Sequence, residues 1–208
     1  MKAYKTLTHT DIRNIESRTR SELINKISGF KSPVLVGTVN SNGIYNLSII
    51  SSIFHIGSKP PLLGMILRPH TEKYSHTLKN IISSKQFTIS HIHHDLIDQA
   101  HRCSTKFPDN VSEFECVGLN PIIHQQDHWV APAVSESKIR LGLSLNSKMD
   151  LPNKCNLIVG KLEWIESHQS LLNENEISFE SNNISVLGLY NYYINTELRR
   201  LDYQTLKK

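Results

Sequence analysis

Small hydroxyl side chains are concentrated in one apolar segment of the sequence, residues 43–54. Ser48, Ser51 and Ser52 leave room for a flat ligand to lie against a strand, and backbone N–H groups there are free to meet ring heteroatoms. The same segment has a second interpretation, in which the hydroxyls bond to neighbouring carbonyl groups inside the protein. Because ligand sites are few per protein, the second interpretation is favoured when the segment is considered alone.

A second polar segment, residues 67–81, combines cations with hydroxyl groups ahead of a helical pattern. If Ser75 caps the helix, the first amides point outward from the positive end of the helix dipole. The hydroxyls of Ser75 and Thr77 then converge with two cations, Arg68 and Lys73, on a spot of phosphate size. The alternative is an ordinary capped surface helix with solvated charges. Neither a Walker loop nor a dinucleotide-binding glycine fingerprint occurs in the chain.

Further reactive side chains follow residue 90. Four histidines lie close together in the sequence, His91, His93, His94 and His101. Apart from Asp95, no carboxylate or thiol stands at a matching offset, so solvation or a partner contact is favoured over a metal site. Cys103 follows an arginine that could lower the pKa of its thiol, and we favour a structural thiol. Trp129 either stacks on a ligand ring or fills a dimer interface, and the interface is favoured.

The elements that must position these groups are mainly strands. Helical patterns cover residues 8–28, with Thr10 or Asp11 as the cap, and residues 75–82 and 96–101. Apolar runs of strand length occupy residues 33–39, 44–56, 62–67, 86–92, 139–145 and 156–165. The Asn42-Gly43 pair between the first two runs is a strong hairpin signal. Six or seven strands with few helices predict a closed antiparallel barrel with peripheral helices.

The composition of the 208 residues excludes several functional classes. Lysine and arginine are dispersed and the net charge is only +4, which disfavours a nucleic-acid reader and suits anionic small molecules. Three cysteines without C-x-x-C spacing argue against a disulfide framework and a structural zinc site. No secretory signal is visible, and the charge-free residues 32–58 are too polar for a membrane span. We therefore expect a soluble, cytoplasmic protein, with an N-terminal helical segment (residues 1–28) and one domain (residues 29–208).

Together with a loop at residues 107–121, the two polar segments resemble the flavin reductase-like family of FMN-binding split barrels. The matching positions are Asn46, Ser48, Ser51, Ser52, Pro60, Pro61, Arg68, Thr71, Lys73, Thr77, Asn80, Glu113, Phe114 and Leu119. The resemblance covers residues 29–193. It implies a mainly β, closed antiparallel Greek-key split barrel with peripheral helices, and a homodimer with one FMN per subunit near the interface.

The resemblance also implies a set of FMN-binding residues. The isoalloxazine ring would lie along the segment that contains Asn46, Ser48, Ile50, Ser51 and Ser52. The phosphate would be held by Arg68, Lys73, Ser75 and Thr77, and Thr71 and Asn80 complete the set. In the tail, Leu189 and Tyr190 stand where glycines are usual in the family, and their bulk could narrow the approach of a nicotinamide.

Two functions are compatible with this resemblance. An NAD(P)H-dependent flavin reductase would pass a hydride from NADH or NADPH to flavin, and could supply a partner monooxygenase with reduced flavin. The alternative is a flavoredoxin-like module that carries FMN, takes electrons from a protein partner and does not itself use nicotinamide. In both cases the cofactor carries the chemistry, so no side chain is assigned a catalytic role. A barrel without a cofactor would leave the hydroxyl-rich segment and the cationic helix start unexplained.

Overall fold

A computed structural model of the chain describes residues 4–69, 76–125, 128–173, 176–177 and 184–202. Its helices are α1 (His9–Asn14), α2 (Ser17–Ile27), α3 (His76–Ser84), α4 (Ile97–Arg102) and α5 (Glu113–Val117). Its strands are β1 (Val34–Val39), β2 (Tyr45–Ile50), β3 (Ile53–Ser58), β4 (Pro61–Leu67), β5 (Gln86–His91), β6 (Pro121–Ile122), β7 (Ala133–Val134), β8 (Ile139–Asp150), β9 (Asn156–Ser167), β10 (Leu172–Asn173), β11 (Glu176–Ile177), β12 (Ile184–Leu187) and β13 (Asn191–Ile194).

The N-terminal segment forms two short helices where the sequence pattern predicts one. Thr8, rather than Thr10 or Asp11, caps α1: its hydroxyl accepts from the Asp11 amide, and the Asp11 carboxylate accepts from the Thr8 amide at 2.8 Å. Glu16 interrupts the helix because its carboxylate accepts the amides two and three residues later and so caps α2. None of the described helices has the length and apolar character needed to cross a membrane. The domain boundary between residues 28 and 29 stays a prediction.

Seven strands form one antiparallel sheet in the order β2-β1-β5-β8-β9-β4-β3. At its centre, β8 and β9 have 12 residues each and join the two halves of the sheet. The prediction of a mainly β, antiparallel fold with few helices is confirmed. The prediction of a closed barrel is wrong, because β2 and β3 are the two edges of the sheet and do not pair with each other over the described residues.

The two edge strands are nevertheless consecutive in the chain, separated only by Ser51 and Ser52. Three Cα-to-Cα steps span at most about 11 Å, so the sheet must curl until its edges approach at this corner. Ser52 closes the corner: its carbonyl accepts from the Ile66 amide at 3.2 Å, and its hydroxyl donates to the Ile66 carbonyl at 2.7 Å. Farther along β2 the outward amide of Leu47 is bonded to the Glu113 side chain and not to a strand.

Alternation along β1 sends successive side chains into two separate cores. Val34 and Val36 join the larger core inside the curled sheet, to which α3 contributes Leu78 and Ile81. Leu35 points the other way, into a second core that includes residues of α4 and α5. The neighbouring strand β2 therefore lies between α3 on one face and α5 on the other, and this position brings the candidate site together.

Candidate functional site

A buried hydrogen-bond network connects β1, β2 and the first turn of α3. The hydroxyls of Thr38 and Thr77 both donate to Asn46 Oδ1, at 3.1 and 3.2 Å. Because the single hydroxyl proton of Thr77 is used in this way, Ser48 must be the donor in its 2.7 Å contact with Thr77. Asn80 Nδ2 completes the network by donating to Thr38 at 3.1 Å. Four of these five side chains belong to the predicted binding set, and Thr38 is the addition.

The register of the β1–β2 pair explains why the strand members meet. Thr38 lies directly opposite Asn46, and Ser48 follows two residues later on the same face of β2. On α3, Thr77 and Asn80 are three residues apart and therefore share one side of the helix. Thr38 is fully buried, and Asn46, Thr77 and Asn80 are exposed by no more than 7 %. The polar groups of the network are thus satisfied by one another away from bulk water.

The hydroxyls of the serine-rich segment bond inside the protein. Ser48 contacts Thr77, and Ser52 donates to the Ile66 carbonyl. Ile50 packs against the larger core inside the curled sheet, and Ser51 is half-buried in the connection between β2 and β3. The interpretation in which hydroxyls bond to neighbouring carbonyl groups therefore describes Ser52, whereas Ser48 bonds to a hydroxyl. A planar ligand along this strand would have to meet backbone groups.

The cationic segment is described only at its two ends. Arg68 is exposed and comes directly after β4. Thr71, Lys73 and Ser75 lie outside the described residues. Thr77 stands in the first turn of α3, where helix amides lack intrahelical partners and the dipole is positive. Its hydroxyl joins the helix start to β2, and so connects the two segments that the sequence predicted to bind one ligand.

A buried carboxylate holds the outer edge of β2. Glu113 is 5 % exposed, and its Oε2 accepts the Leu47 amide at 3.0 Å. Since an antiparallel pair directs alternate amides away from the partner strand, Ile49 presents its amide to the same side as Leu47. Glu113 was found in the sequence only as a motif position, and no local pattern reveals a contact across 66 residues.

A polar pocket opens beside the network. The β1–β2 turn shapes it, because Asn40 Oδ1 accepts the amides of Asn42 and Ile44 at 2.9 Å and Asn40 Nδ2 donates to the Asp109 carbonyl at 3.1 Å. The lining residues are Asn40, Ser41, Asn42, Ile44, Asn46, His76, Lys79, Asn80, Asp109 and Val111. Among the described residues, the network uses the carboxamide oxygen of Asn46 and no hydrogen bond from its nitrogen, which is a candidate donor to a ligand.

A cation that the sequence patterns do not single out lies near Arg68. Lys31 precedes β1 and exchanges two backbone hydrogen bonds with Val186, at 3.0 and 2.8 Å. Its ammonium group donates to the backbone and side-chain oxygens of Asn25, both at 3.3 Å. Partial burial, together with the positive charge of Arg68, lowers the pKa of Lys31. The two cations therefore contribute to one positive region.

The remaining candidates have structural surroundings. Cys103 is buried in the second core, and burial together with the Glu113 carboxylate raises the pKa of its thiol to about 12, surroundings that suit a structural thiol. Trp129 is 7 % exposed and packs edge-on against Trp164 within the chain, so its surface is used there and not at a dimer interface. Among the described residues, no three histidine, cysteine or acidic side chains cluster as metal ligands.

The C-terminal hairpin β12–β13 holds its bulky turn beside α4. Leu189 is half-buried and Tyr190 is 61 % exposed, with its ring centroid 6.1 Å from that of His101. The hydroxyl of Tyr192 lies 2.9 Å from His101 Nδ1. The turn is therefore positioned by tyrosine contacts with one histidine.

Comparison with known proteins places this arrangement in a family. The model of the flavin reductase like domain matches residues 27–193. The chain belongs to this family. The flavin reductase-like chain is 33 % identical to a protein from Shewanella frigidimarina NCIMB 400 that has a split barrel domain and is provisionally named a flavin reductase. The two structures match with a TM-score of 0.90 over 97 % of this chain and 100 % of that one.

Two more distant structures share the fold of the flavin reductase-like chain. Nitrilotriacetate monooxygenase component B from Bacillus cereus is 20 % identical, with a TM-score of 0.86 over 97 % of this chain and 100 % of that one. The flavoredoxin of Desulfovibrio vulgaris (Miyazaki F) is also 20 % identical, with a TM-score of 0.73 over 86 % of this chain and 93 % of that one. At this level of identity the likeness establishes the fold alone.

Proposed function

We propose that this flavin reductase-like chain binds FMN between β2 and the start of α3 and transfers a hydride from NADH or NADPH to flavin. The network at Asn46 and Thr77 carries the proposal. Its hydrogen bonds join predicted ligand residues from two separate segments of the sequence. Asn46 and Thr77, which are bonded directly, are 31 positions apart. Membership of the flavin reductase-like family supports the same function.

The groups in this region suit a flavin and its phosphate ester. The first turn of α3 offers amides at the positive end of the helix, and Arg68 adds an exposed cation. The carboxamide nitrogen of Asn46 and the outward amide of Ile49 are donors of the kind that ring carbonyl and nitrogen atoms require. Thr71, Lys73 and Ser75 remain in the proposed binding set, as do Ile50, Ser51 and Ser52 along the strand.

Bound FMN would supply the redox chemistry by accepting a hydride from the nicotinamide. The protein would bind the flavin and orient it towards the nicotinamide. Glu113 fixes the edge of β2 through the Leu47 amide, and the hydroxyl network fixes Thr77 relative to Asn46. The charge of Arg68 stabilises anionic groups near the corner of the sheet. We assign no side chain a catalytic role.

Two copies of the chain are proposed to associate, with FMN near their interface. The helices α1 and α2 bury no residue within the chain. Large apolar side chains are exposed there: Ile27 on α2 is 69 % exposed, and Phe30, just after α2, is 60 % exposed. The Phe30 ring packs edge-on against Tyr193, with centroids 5.0 Å apart, which extends the apolar surface to the C-terminal hairpin. Analytical ultracentrifugation tests the association, and an Ile27→Glu variant should shift it towards monomer.

A partner monooxygenase and a cytoplasmic location complete the proposal. The fold is shared with component B of a monooxygenase system, which makes delivery of reduced flavin to such an enzyme the natural use of the reaction. Mixing the reduced protein with a candidate monooxygenase and its substrate tests this step. Product formation that depends on the flavin reductase-like chain is the expected result.

The cofactor and the reaction can be tested in sequence. Purified protein should take up FMN, and anaerobic addition of NADH or NADPH should bleach the flavin absorbance. Lys73→Ala should weaken FMN binding by about 1–3 kcal/mol, the cost of losing a charge-assisted contact with a phosphate. Thr77→Ala should weaken it by a similar amount, because the start of α3 is no longer tied to Asn46 on β2. Lys59→Ala, in the exposed β3–β4 turn at the end of β4 away from Arg68, is the matched control. Failure to take up FMN would refute the proposed cofactor, and failure to bleach with either nicotinamide would refute the reductase reaction.

One observation favours a second candidate function, an FMN-carrying electron-transfer module. The turn between β12 and β13 carries Leu189 and Tyr190, whose bulk would obstruct a nicotinamide if the turn faces the flavin. In that case dithionite or a protein donor should reduce the bound flavin while NADH and NADPH do not. Replacing both residues with glycine should then increase reduction by nicotinamide.

A further inference from the structure

Two basic residues far apart in the sequence, Lys31 and Arg68, lie at the split corner of the sheet. Lys31 precedes β1 by three residues, and the first residue of β1 pairs with Ile50 at the end of β2. Two residues after Ile50, Ser52 exchanges two hydrogen bonds with Ile66 on β4. Arg68 follows Ile66 by two residues. The path of the chain thus brings Lys31 and Arg68 to the same corner, in agreement with the effect of the Arg68 charge on Lys31.

The position of Lys31 is restrained from two sides. Its backbone bonds to Val186 in β12 in both directions, and its ammonium group is directed to the Asn25 oxygens at the end of α2. These oxygens are neutral acceptors, and at 3.3 Å the contacts are at the long end of the hydrogen-bond range. They orient the ammonium group without neutralising it.

Neither cation has an acidic partner within the described part of the chain. The ion pairs there join other residues, and Arg68 is exposed. Two like charges held close together raise the free energy of the folded chain, and an anion bound between them relieves that repulsion. A phosphate group, with its multiple negative oxygens, suits an ammonium and a guanidinium together.

We propose that Lys31 and Arg68 form a two-cation site for the phosphate of a bound nucleotide. Lys31 is its new member, supplied from outside the two polar segments that the sequence analysis identified. The inference rests on the proposed function and deepens it. The phosphate belongs either to FMN or to the nicotinamide donor. Comparing FMN with riboflavin tests the first source, and comparing NADPH with NADH tests the second.

The test compares Lys31→Gln with the wild-type protein, using pairs of ligands that differ from each other by one phosphate. Quenching of flavin fluorescence gives the affinities of FMN and riboflavin, which lacks the phosphate. The KM values of NADPH and NADH report the 2′-phosphate of the donor. Lys59→Gln is the control, because it removes an exposed lysine at the β3–β4 turn, at the end of β4 away from Arg68. A cooperative thermal unfolding transition in both variants establishes that they are folded.

Each outcome decides for or against the site. A loss of about tenfold in FMN affinity with riboflavin unchanged supports the site and assigns it to the flavin phosphate. An increase of similar size in KM for NADPH alone supports it and assigns it to the donor. If wild-type protein binds no flavin, the proposed function fails, and calorimetric titration with inorganic pyrophosphate still tests the cations. Equal behaviour of Lys31→Gln and wild type in all of these measurements overturns the inference.

Discussion

The hydrogen bond between Ser48 and Thr77 can be measured with a double-mutant cycle. Thr77→Val keeps the shape of the side chain and removes two contacts, the 3.2 Å bond to Asn46 and the 2.7 Å bond from Ser48. At about 0.5–1.5 kcal/mol net per buried bond, the variant should lose about 1–3 kcal/mol of unfolding free energy. Ser48→Ala removes only the second contact and should cost about 1 kcal/mol.

The double variant should cost less than the sum of the two single variants. The Ser48–Thr77 bond is lost in either single variant, so it is counted twice in the sum, and Thr77→Val alone also leaves the Ser48 hydroxyl without its acceptor. We therefore expect a coupling free energy of about 1 kcal/mol. Urea denaturation of the flavin-free protein provides the four values, and Thr105→Val, at an exposed position, is the control for the loss of a hydroxyl.

Additivity within about 0.3–0.5 kcal/mol would refute the network, because uncoupled positions behave independently. A Thr77→Val variant with the wild-type free energy of unfolding would also refute the network, since removing a buried hydroxyl with two hydrogen-bond partners should lower that free energy. In the proposed function, the variants should also weaken FMN binding, because the start of α3 is no longer tied to β2.

Single substitutions elsewhere test the packing and the titration behaviour. Gly37→Ala should lower the unfolding free energy by about 1–3 kcal/mol in urea, because a Cβ there would collide with the Pro132 carbonyl and the Thr88 hydroxyl. Iodoacetamide at pH 8, followed by peptide mapping, should modify the other two cysteines before Cys103, whose pKa is raised to about 12. Burial lowers the pKa of His91, so the unfolded chain takes up a proton more readily than the folded chain, and the free energy of unfolding should fall as pH drops through about 6.5. His91→Leu should reduce the slope of unfolding free energy against pH, and equal slopes in the variant and the wild type would contradict this reasoning.

Local patterns predicted the elements that depend on local chemistry. The Asn42-Gly43 pair does form the turn between β1 and β2, with Gly43 at a φ of +79°, a conformation that glycine adopts without strain. The helix over residues 75–82 corresponds to α3, and its buried Leu78 and Ile81 follow the expected spacing. The single helix over residues 8–28 was wrong because the Glu16 side chain competes for backbone amides, which an apolar stripe does not reveal.

Long-range pairing was beyond such patterns. Asn46 and Thr77 could be assigned to one site only through the order of several motifs, because their contact depends on how the sheet curls. Barrel closure was predicted from the number of strands, the scarcity of helices and the family resemblance, none of which shows that the Leu47 amide at the edge of β2 bonds to the Glu113 carboxylate. Lys31 was missed because its charge has meaning only beside Arg68, 37 residues later in the sequence.

The strand order has a consequence for synthesis on the ribosome. The hairpin of β3 and β4 is complete at Leu67, but the strand that covers the free side of β4 begins only at Asn156. At about 5–20 residues per second, roughly 4–18 seconds of translation separate the two events, during which the unpaired side of β4 can template aggregation. Early release of the nascent chain would leave that side uncovered, so productive folding of the sheet requires β9 to have emerged.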